Sequence, residues 1–445
     1  MKKSTIYLPP PTSLAYALGL ASEAITRVIE GGNLNEALLS CWRGHPSLPP
    51  SQRGAAQDLS YGALRRFGRG DFLLGQLLRE PLKETQLRAL LLATLYRLDA
   101  RPKDSHTTVD QAVTAAAQIG HGNFKALANG VLRNYLRRRE ELEMNADADP
   151  VARYQHPQWW IDALCTAYPQ DWQHILAAGN GRPPMTLRVN RRKGEVAACL
   201  AALTTAGINA HALEGEGILL DRPLPVDTLP GFAEGRLSVQ DWGAQQAAHL
   251  LDVDAGMRVL DACAAPGGKM AHLLELADVE LLALDADASR TTRIVENLDR
   301  LGLTSRATVK TADCRALDTW WDGRPFERIL ADVPCSASGV VRRHPDSKWL
   351  RRQQDIAGFA RTQSEILDAL WRVLAPGGKM LYSTCSLFAQ ENSMQVTAFT
   401  QRHTDALLLP TNPGSRIDSG SLDWQLAPQA EHDGFYYALL QKKPA

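Results

Sequence analysis

From Arg258 to the C-terminus, short apolar runs alternate with helix-patterned segments, and this alternation restricts the fold more than any other feature of the chain. Runs at 258–261, 280–284, 306–310, 327–331, 379–383 and 435–441 read as strands with helices between them. Parallel neighbours need a crossover connection, usually a helix, so the pattern predicts a mostly parallel sheet covered on both faces. In an open sheet of this kind, ligands bind beyond the carboxyl ends of the strands. Residues that directly follow the apolar runs are therefore the first candidates for chemistry.

Two of those runs lead into cysteines. Asp332-Val333-Pro334-Cys335-Ser336 follows the run ending at Ala331, and Ser383-Thr384-Cys385-Ser386 follows Met380 to Tyr382. A thiolate becomes a strong nucleophile once its pKa is lowered, and one such group suffices to attack an electron-poor carbon. Two thiols at one cleft suggest attack and release as separate tasks. For either cysteine alone, burial as a small hydrophobe is the alternative.

A third strand end, Asp261, opens into Ala262, Cys263, Ala264, Ala265, Pro266, Gly267, Gly268 and Lys269. Small residues here let the backbone approach a ligand, and the helix that follows points amide donors at the ligand's polar end. The turn matches neither a dinucleotide GxGxxG nor a phosphate loop, which argues against a nucleoside triphosphate. Sixteen residues beyond Lys269, Asp285 ends the next strand, where an acid binds a ribose diol. Asp313 closes the third unit and is placed to accept from an adenine amino group. An adenosine-containing ligand across these strand ends accommodates all three features; helix capping is the alternative for each aspartate taken singly.

A chain of 445 residues exceeds one core, and three domains are expected: 1–144, 145–240 and 241–445. The first reads as an all-α bundle. Leu14, Leu18, Ala21, Ile25, Val28 and Ile29 share one helical face, and further helices are predicted over 34–41, 51–67, 71–79, 83–98, 108–119 and 123–143. Net charge is zero overall, yet residues 1–144 hold six more basic than acidic residues, a balance that suits a polyanion as well as it suits solvated helix faces. The polar stretch Asn145 to Pro150 reads as a boundary. A small α+β unit follows, with strands at 186–190 and 217–220 and a helix near 195–206. Seven cysteines without a CxxC pair support neither disulfides nor a metal site, so a reducing cytoplasm and no metal are expected. Prolines interrupt the N-terminal MKKSTIYLPPPTS where a signal peptide needs an apolar run, and no stretch reaches membrane-spanning length.

The segments DACAAPGGK (Asp261 to Lys269), DVPCS (Asp332 to Ser336) and STCS (Ser383 to Ser386) resemble the motifs of the S-adenosylmethionine-dependent RNA cytosine-5 methyltransferases of the Nol/Nop/Sun type. SGVVRRHPDSKW (Ser338 to Trp349) and the helical N-terminal domain resemble the bacterial Fmu/Sun/RsmB branch, which methylates 16S ribosomal RNA; that N-terminal domain is also similar to the antitermination factor NusB. The resemblance implies a NusB-like bundle, a small α+β middle domain and a Rossmann-like class I methyltransferase domain, with S-adenosylmethionine held by residues 263 to 269, Asp285, Asp313 and Asp332. Val333, Met270 and Trp242 depart from the family pattern, standing where Ala, Thr and a small residue are usual.

Cytosine C5 is too weak a nucleophile to take a methyl group from a sulfonium until a thiolate has added at C6. By resemblance Cys385 attacks, Asp332 lies against N3 and the exocyclic amine, and Cys335 assists loss of the C5 proton and release. The base must leave its stack to reach both thiols, so single-stranded or loop RNA is the expected substrate. Candidate RNA contacts are Arg342, Arg343, His344 and Lys348 after Cys335, and Arg188 and Asn190 beside the turn Arg191-Arg192-Lys193. A solvated loop is the alternative for the first group. The partner implied is 16S rRNA, free or in an early assembly intermediate, met by a monomer and without a membrane. Transfer RNA methylation, and a non-catalytic assembly factor of the same fold, are the competing readings.

Overall fold

Helix-patterned residues dominate the first part of the chain and fold as a bundle around one all-round apolar helix. The protein is described here by a computed structural model covering residues 9–411 and 421–444; residues 1–8, which include most of the N-terminal segment read above, lie outside the described residues. Two compact units form, 1–181 with 341–352, and 182–340 with 353–445.

In the first unit the helices are α1 (Leu14–Ile29), α2 (Leu34–Gly44), α3 (Pro50–Arg65), α4 (Phe67–Leu77), α5 (Thr85–Ala100) and α6 (Ser105–Ala116). They continue as α7 (Lys125–Arg137), α8 (Arg139–Ala148), α9 (Pro150–Tyr154), α10 (Gln158–Ala167) and α11 (Trp172–Asn180). Ser13 caps α1 by accepting from the Tyr16 amide, and Leu18, Ala21, Ile25 and Val28 form its buried stripe. Helix α5 buries a nearly continuous run from Leu87 to Leu95, which makes it the bundle's centre. The segments predicted as single helices at 51–67 and 123–143 differ from the structure: the first ends at Arg65, and the second breaks at Arg138. In the stretch Asn145 to Pro150, helix α8 extends to Ala148, and Asp149 caps α9 by accepting from the Ala152 amide at 2.8 Å.

The second unit contains two sheets. The smaller comprises β1 (Met185–Val189), β2 (Ala210–Ala212), β3 (Gly217–Leu220) and β4 (Leu237–Val239) in the order β2-β3-β1-β4, all antiparallel, with α12 (Val196–Thr205) against it. After α13 (Trp242–Leu251) come β5 (Arg258–Asp261), α14 (Gly268–Leu276), β6 (Glu280–Asp285), α15 (Ala288–Leu301), β7 (Ala307–Thr311) and β8 (Phe326–Asp332). The short helix α16 (Ser347–Leu350) belongs to the first unit. The second resumes with α17 (Gln353–Val373), β9 (Leu374–Thr384), α18 (Ser393–Arg402), β10 (Ala406–Leu409), β11 (Trp424–Leu426) and β12 (Phe435–Lys442).

The larger sheet has the order β10-β12-β9-β8-β5-β6-β7, with β11 paired to β12. Strands β5 to β9 are parallel, while β12 runs antiparallel to β9, β10 and β11. Helices α13, α14 and α15 bury Ala247, Leu273 and Leu298 against one face; α17 and α18 bury Leu367, Leu370 and Phe399 against the other. The chain runs outward from β5 through β6 to β7, then returns to β8 on the opposite side of β5. This reversal opens a crevice at the carboxyl ends of β5 and β8. Among the described residues no helix is long and apolar enough to cross a membrane.

Two groups proposed from sequence as RNA surface are corrected by burial. Arg188, on β1, is fully buried: its Nε and Nη2 donate to the Glu275 carboxylate of α14 at 3.0 and 2.8 Å, and its Nη1 donates to Gln240 and to the Gly268 carbonyl. Asn190 is also buried, holding the turn by donating to Gly235 O and accepting from the Arg192 amide. Arg192 in turn pairs with Asp278. These residues fasten the small sheet to α14. Lys348 is likewise fully buried, donating to Arg65 O and Asn180 Oδ1, and burial pushes its ammonium well below the usual range. Arg342 is buried beside it, with its carbonyl accepting from Arg65 Nη2. Only Arg343 and His344 of that group keep part of their surface exposed.

Removing one partner of a buried ion pair strands the other charge, at a cost of about 3–5 kcal/mol. Arg188→Ala is expected to lower the free energy of unfolding by that amount in urea titrations while leaving the RNA affinity of the folded fraction unchanged. A selective loss of RNA affinity at unchanged stability would restore Arg188 to the RNA surface.

Candidate active site

Two loops leave adjacent parallel strands, β8 and β9, and each carries one of the sequence-predicted cysteines. The strands are in register from Ile329↔Met380 to Asp332↔Ser383, so their ends are level. Cys335 and Cys385 meet with their Sγ atoms 3.3 Å apart, each partly exposed. Ser383 Oγ donates to Asp332 Oδ1 at 3.0 Å, and Lys269 Nζ donates to Asp332 Oδ2 at 2.6 Å. Both oxygens of Asp332 are thus oriented before any ligand arrives.

Glu391, which the sequence reading did not single out, holds the two loops together. It is wholly buried; its Oε1 accepts from the Ser336 amide at 2.8 Å and from Gln363 Nε2 at 3.0 Å, and its Oε2 accepts from Ser386 Oγ at 2.5 Å. Ser336 and Ser386 directly follow the two cysteines. Ser338 extends the network by accepting from the Leu387 amide, and the Gly339 amide donates to Cys385 O. Gly339 lies so close to Gly434 that a Cβ would stand 2.3 Å from the Gly434 carbonyl oxygen, which leaves no room for a side chain. A carboxylate six residues beyond a cysteine has no sequence signature of its own, and only the return of the chain after β9 aims it inward.

The resting electrostatics keep Cys385 as a thiol. Its hydrogen bond with Cys335, then burial, then the negative charges nearby raise its pKa well above the ordinary value, against the opposing charge of Lys269. Burial opposes the charge of Lys269, but Asp332 outweighs it and holds the ammonium above its usual range. Asp261, at the end of β5, is pushed up to about 8, first by burial and then by Asp332. Its Oδ1 finds no hydrogen-bond partner among the described residues.

The loop from Ala262 to Lys269 lies between these acids. Gly267 takes φ +96°, a left-handed conformation suited to glycine, and no side chain caps α14, so the first-turn amides are open to a ligand. Asp285 is buried at the end of β6, accepting from the Ala265 and Asp287 amides, with Arg290 Nη1 at 3.4 Å. Asp313 is partly exposed and paired with Arg315, whose amide it also caps. Asp261, Asp285, Asp313 and Asp332 therefore follow four neighbouring strands along one sheet edge. Cys263 lies partly buried within the loop, and Ala264 is buried in the core. Carboxylates for a sulfonium and a ribose diol, beside uncapped amides for a terminal carboxylate, form a donor set that fits S-adenosylmethionine. Met270, a departure from the family pattern, fills the core beneath this loop with no exposure. Asp241 caps α13 by accepting from the Gly243 amide, and Gln240 accepts from Arg188.

Residues 248–441 match the family model described as 16S rRNA methyltransferase RsmB/F, residues 156–227 an RsmF/B-like ferredoxin-like domain and residues 19–137 the NusB family. The Ribosomal RNA small subunit methyltransferase B of Vibrio cholerae is 42% identical over 97% of this chain and 100% of its own. That of Pseudomonas putida is 44% identical over 95% and 97%. The solved structure of a methyltransferase homolog from Pyrococcus horikoshii superposes on 66% of this chain and 97% of its own, with 26% identity and a TM-score of 0.58.

Two outcomes test the site's architecture. Asp261 is raised on folding, so an unfolded chain releases its proton near pH 4 while the folded one keeps it to about pH 8, and stability falls as pH rises through that interval. Denaturant titrations of Asp261→Asn are expected to lack this decline relative to the native protein. Glu391→Ala leaves the Ser336 amide buried without its acceptor, a loss of about 1–3 kcal/mol, more for the charged network. It is expected to lower the melting temperature and slow the reaction of both thiols with each other under mild oxidation, because they no longer face at contact distance.

Proposed function

The chain belongs to the ribosomal RNA small subunit methyltransferase B family, and from that premise we propose that it methylates C5 of a cytosine in 16S rRNA through a covalent adduct with Cys385. Members of this family are S-adenosylmethionine-dependent methyltransferases of ribosomal RNA. The observation that carries the finer reading is the pair of thiols 3.3 Å apart at level strand ends, beside an acid whose two oxygens are already fixed. Direct transfer to an amine or hydroxyl needs no thiol. C5 of cytosine needs one to raise its nucleophilicity and benefits from a second to end the reaction.

In this reading Cys385 Sγ forms the bond to C6 as its proton passes by way of Asp332 to N3, and the displaced electron pair enriches C5. Lys269 holds Asp332 in place and offsets its charge beside Cys385. S-adenosylmethionine, when bound, supplies an electrophilic methyl carbon whose leaving group departs as a neutral thioether. Residues 263 to 269, Asp285 and Asp313 would hold it, and Asp332 would serve both ligands. Cys335 takes part in removing the C5 proton; the C5–H electrons restore the ring double bond, and the Sγ–C6 bond breaks to return Cys385. Because the resting Cys385 is held protonated, its proton leaves only as the base arrives, which limits side reactions of the free enzyme. The base reaches both thiols only outside a helix stack, so the substrate is an accessible or flipped cytosine.

Methyl transfer to deproteinised 16S rRNA, with transfer RNA in parallel and bisulfite sequencing of the product, tests substrate and position together. Cys385→Ala is expected to reduce transfer to background and to form no covalent complex. Cys335→Ala is expected to accumulate an RNA adduct that survives denaturing electrophoresis. Retained turnover in the first variant, or no retarded band in the second, would overturn the assigned roles.

A further inference from the structure

Away from the thiols, Glu216, His249 and His272 bring one ligand atom each to within 4.8 Å of one another. They come from three elements: the turn before β3, helix α13 and helix α14. No sequence spacing announces them, since their positions are separated by more than twenty residues each time. His249 Nε2 is 2.8 Å and His272 Nε2 is 3.5 Å from the same carboxylate oxygen, Glu216 Oε2, and the two rings stand nearly perpendicular at 5.2 Å between centroids. The other oxygen, Oε1, faces Arg191 Nη1 at 3.3 Å, which fixes the carboxylate without occupying Oε2.

A second observation points to an absent ligand. His272 is 1% exposed, yet neither ring nitrogen makes a hydrogen bond among the described residues, while the neighbouring buried side chains Arg188 and Glu275 pair with each other. An unpaired buried imidazole aimed at a shared carboxylate oxygen is costly in itself. Coordination of a cation by Nε2 removes that atom's share of the cost.

We infer that Glu216, His249 and His272 bind a divalent transition cation of the zinc type, as a structural pin between the small sheet and α14. Two imidazole nitrogens and one carboxylate oxygen form a borderline-soft donor set that favours Zn2+ over Mg2+ or Ca2+. His249 leaves the site open on one side, its side chain 40% exposed, which provides the entry path and the fourth position for water. With Nε2 of both histidines on the metal, their ring protons reside on Nδ1. The cation would lie on the helix that begins with the Gly267-Gly268-Lys269 turn, so it would stiffen that turn without taking part in the reaction.

The test uses full-length protein stripped with a chelator and titrated calorimetrically with Zn2+, alongside absorption spectra after Co2+ loading. The catalytic thiols are the competing ligands, so a Cys335→Ser, Cys385→Ser double variant is measured beside the native chain. One equivalent of Zn2+ is expected in both, with Co2+ bands of nitrogen and oxygen coordination and no thiolate charge-transfer absorption. His249→Ala, a change at an exposed side chain, is expected to weaken Zn2+ binding at least tenfold and to abolish the rise in melting temperature that Zn2+ gives the native protein. No saturable binding, or binding that survives His249→Ala and disappears with the thiols, would overturn the site. A thiolate band in the native Co2+ spectrum at one equivalent would do the same.

Discussion

Glu391 is the interaction on which the active site depends. One buried carboxylate accepts from the residue after Cys335 and from the residue after Cys385, so a single group sets the separation of two loops that leave different strands. A buried carboxylate is tolerated only when its oxygens are satisfied, and here the donors include a backbone amide, a side-chain amide and a hydroxyl. The same network closes through Asn392, which donates to Ser386 O and accepts from Thr384 Oγ1. The loops cannot drift apart without stranding several polar groups at once. Rigid support of this kind is what a two-thiol reaction needs, since attack and release act on one ring.

The parallel sheet supplies the frame that makes this possible. Because β5 lies between β6 and β8, the acids that follow β5, β6, β7 and β8 fall in a row, and the glycine-rich turn opens between them. Their charges interact. Asp332 raises both Asp261 and Cys385, while Lys269 opposes both shifts. The crevice therefore rests with fewer negative charges than its carboxylates would carry in water, and a cationic ligand finds there groups ready to ionise toward it.

Basic residues were the least reliable guide. Arg188, Asn190, Arg342 and Lys348 sit in stretches rich in Arg and Lys that suit RNA phosphates, but each is buried and engaged within its own unit. A sequence reports that a residue is basic; it does not report whether a carboxylate 87 positions away will meet it, as Glu275 meets Arg188. The motif residues behaved differently. Asp261, Asp285, Asp332 and the cysteine loops follow directly from strand ends, and strand ends are set by local apolar runs whose limits the sequence displays.

The sequence by itself determined the helical first part, the alternating strands and helices of the second, and the strand-end positions of the two cysteines, because these rest on periodicity and on short-range turn chemistry. Tertiary structure alone decided that the two thiols touch, that Glu391 ties their loops, that Arg188 is a buried strut, and that Glu216, His249 and His272 converge. Each of these is a contact between residues far apart in the chain. Its existence depends on strand order and helix packing, which fix distances only after the whole sheet has closed around its core.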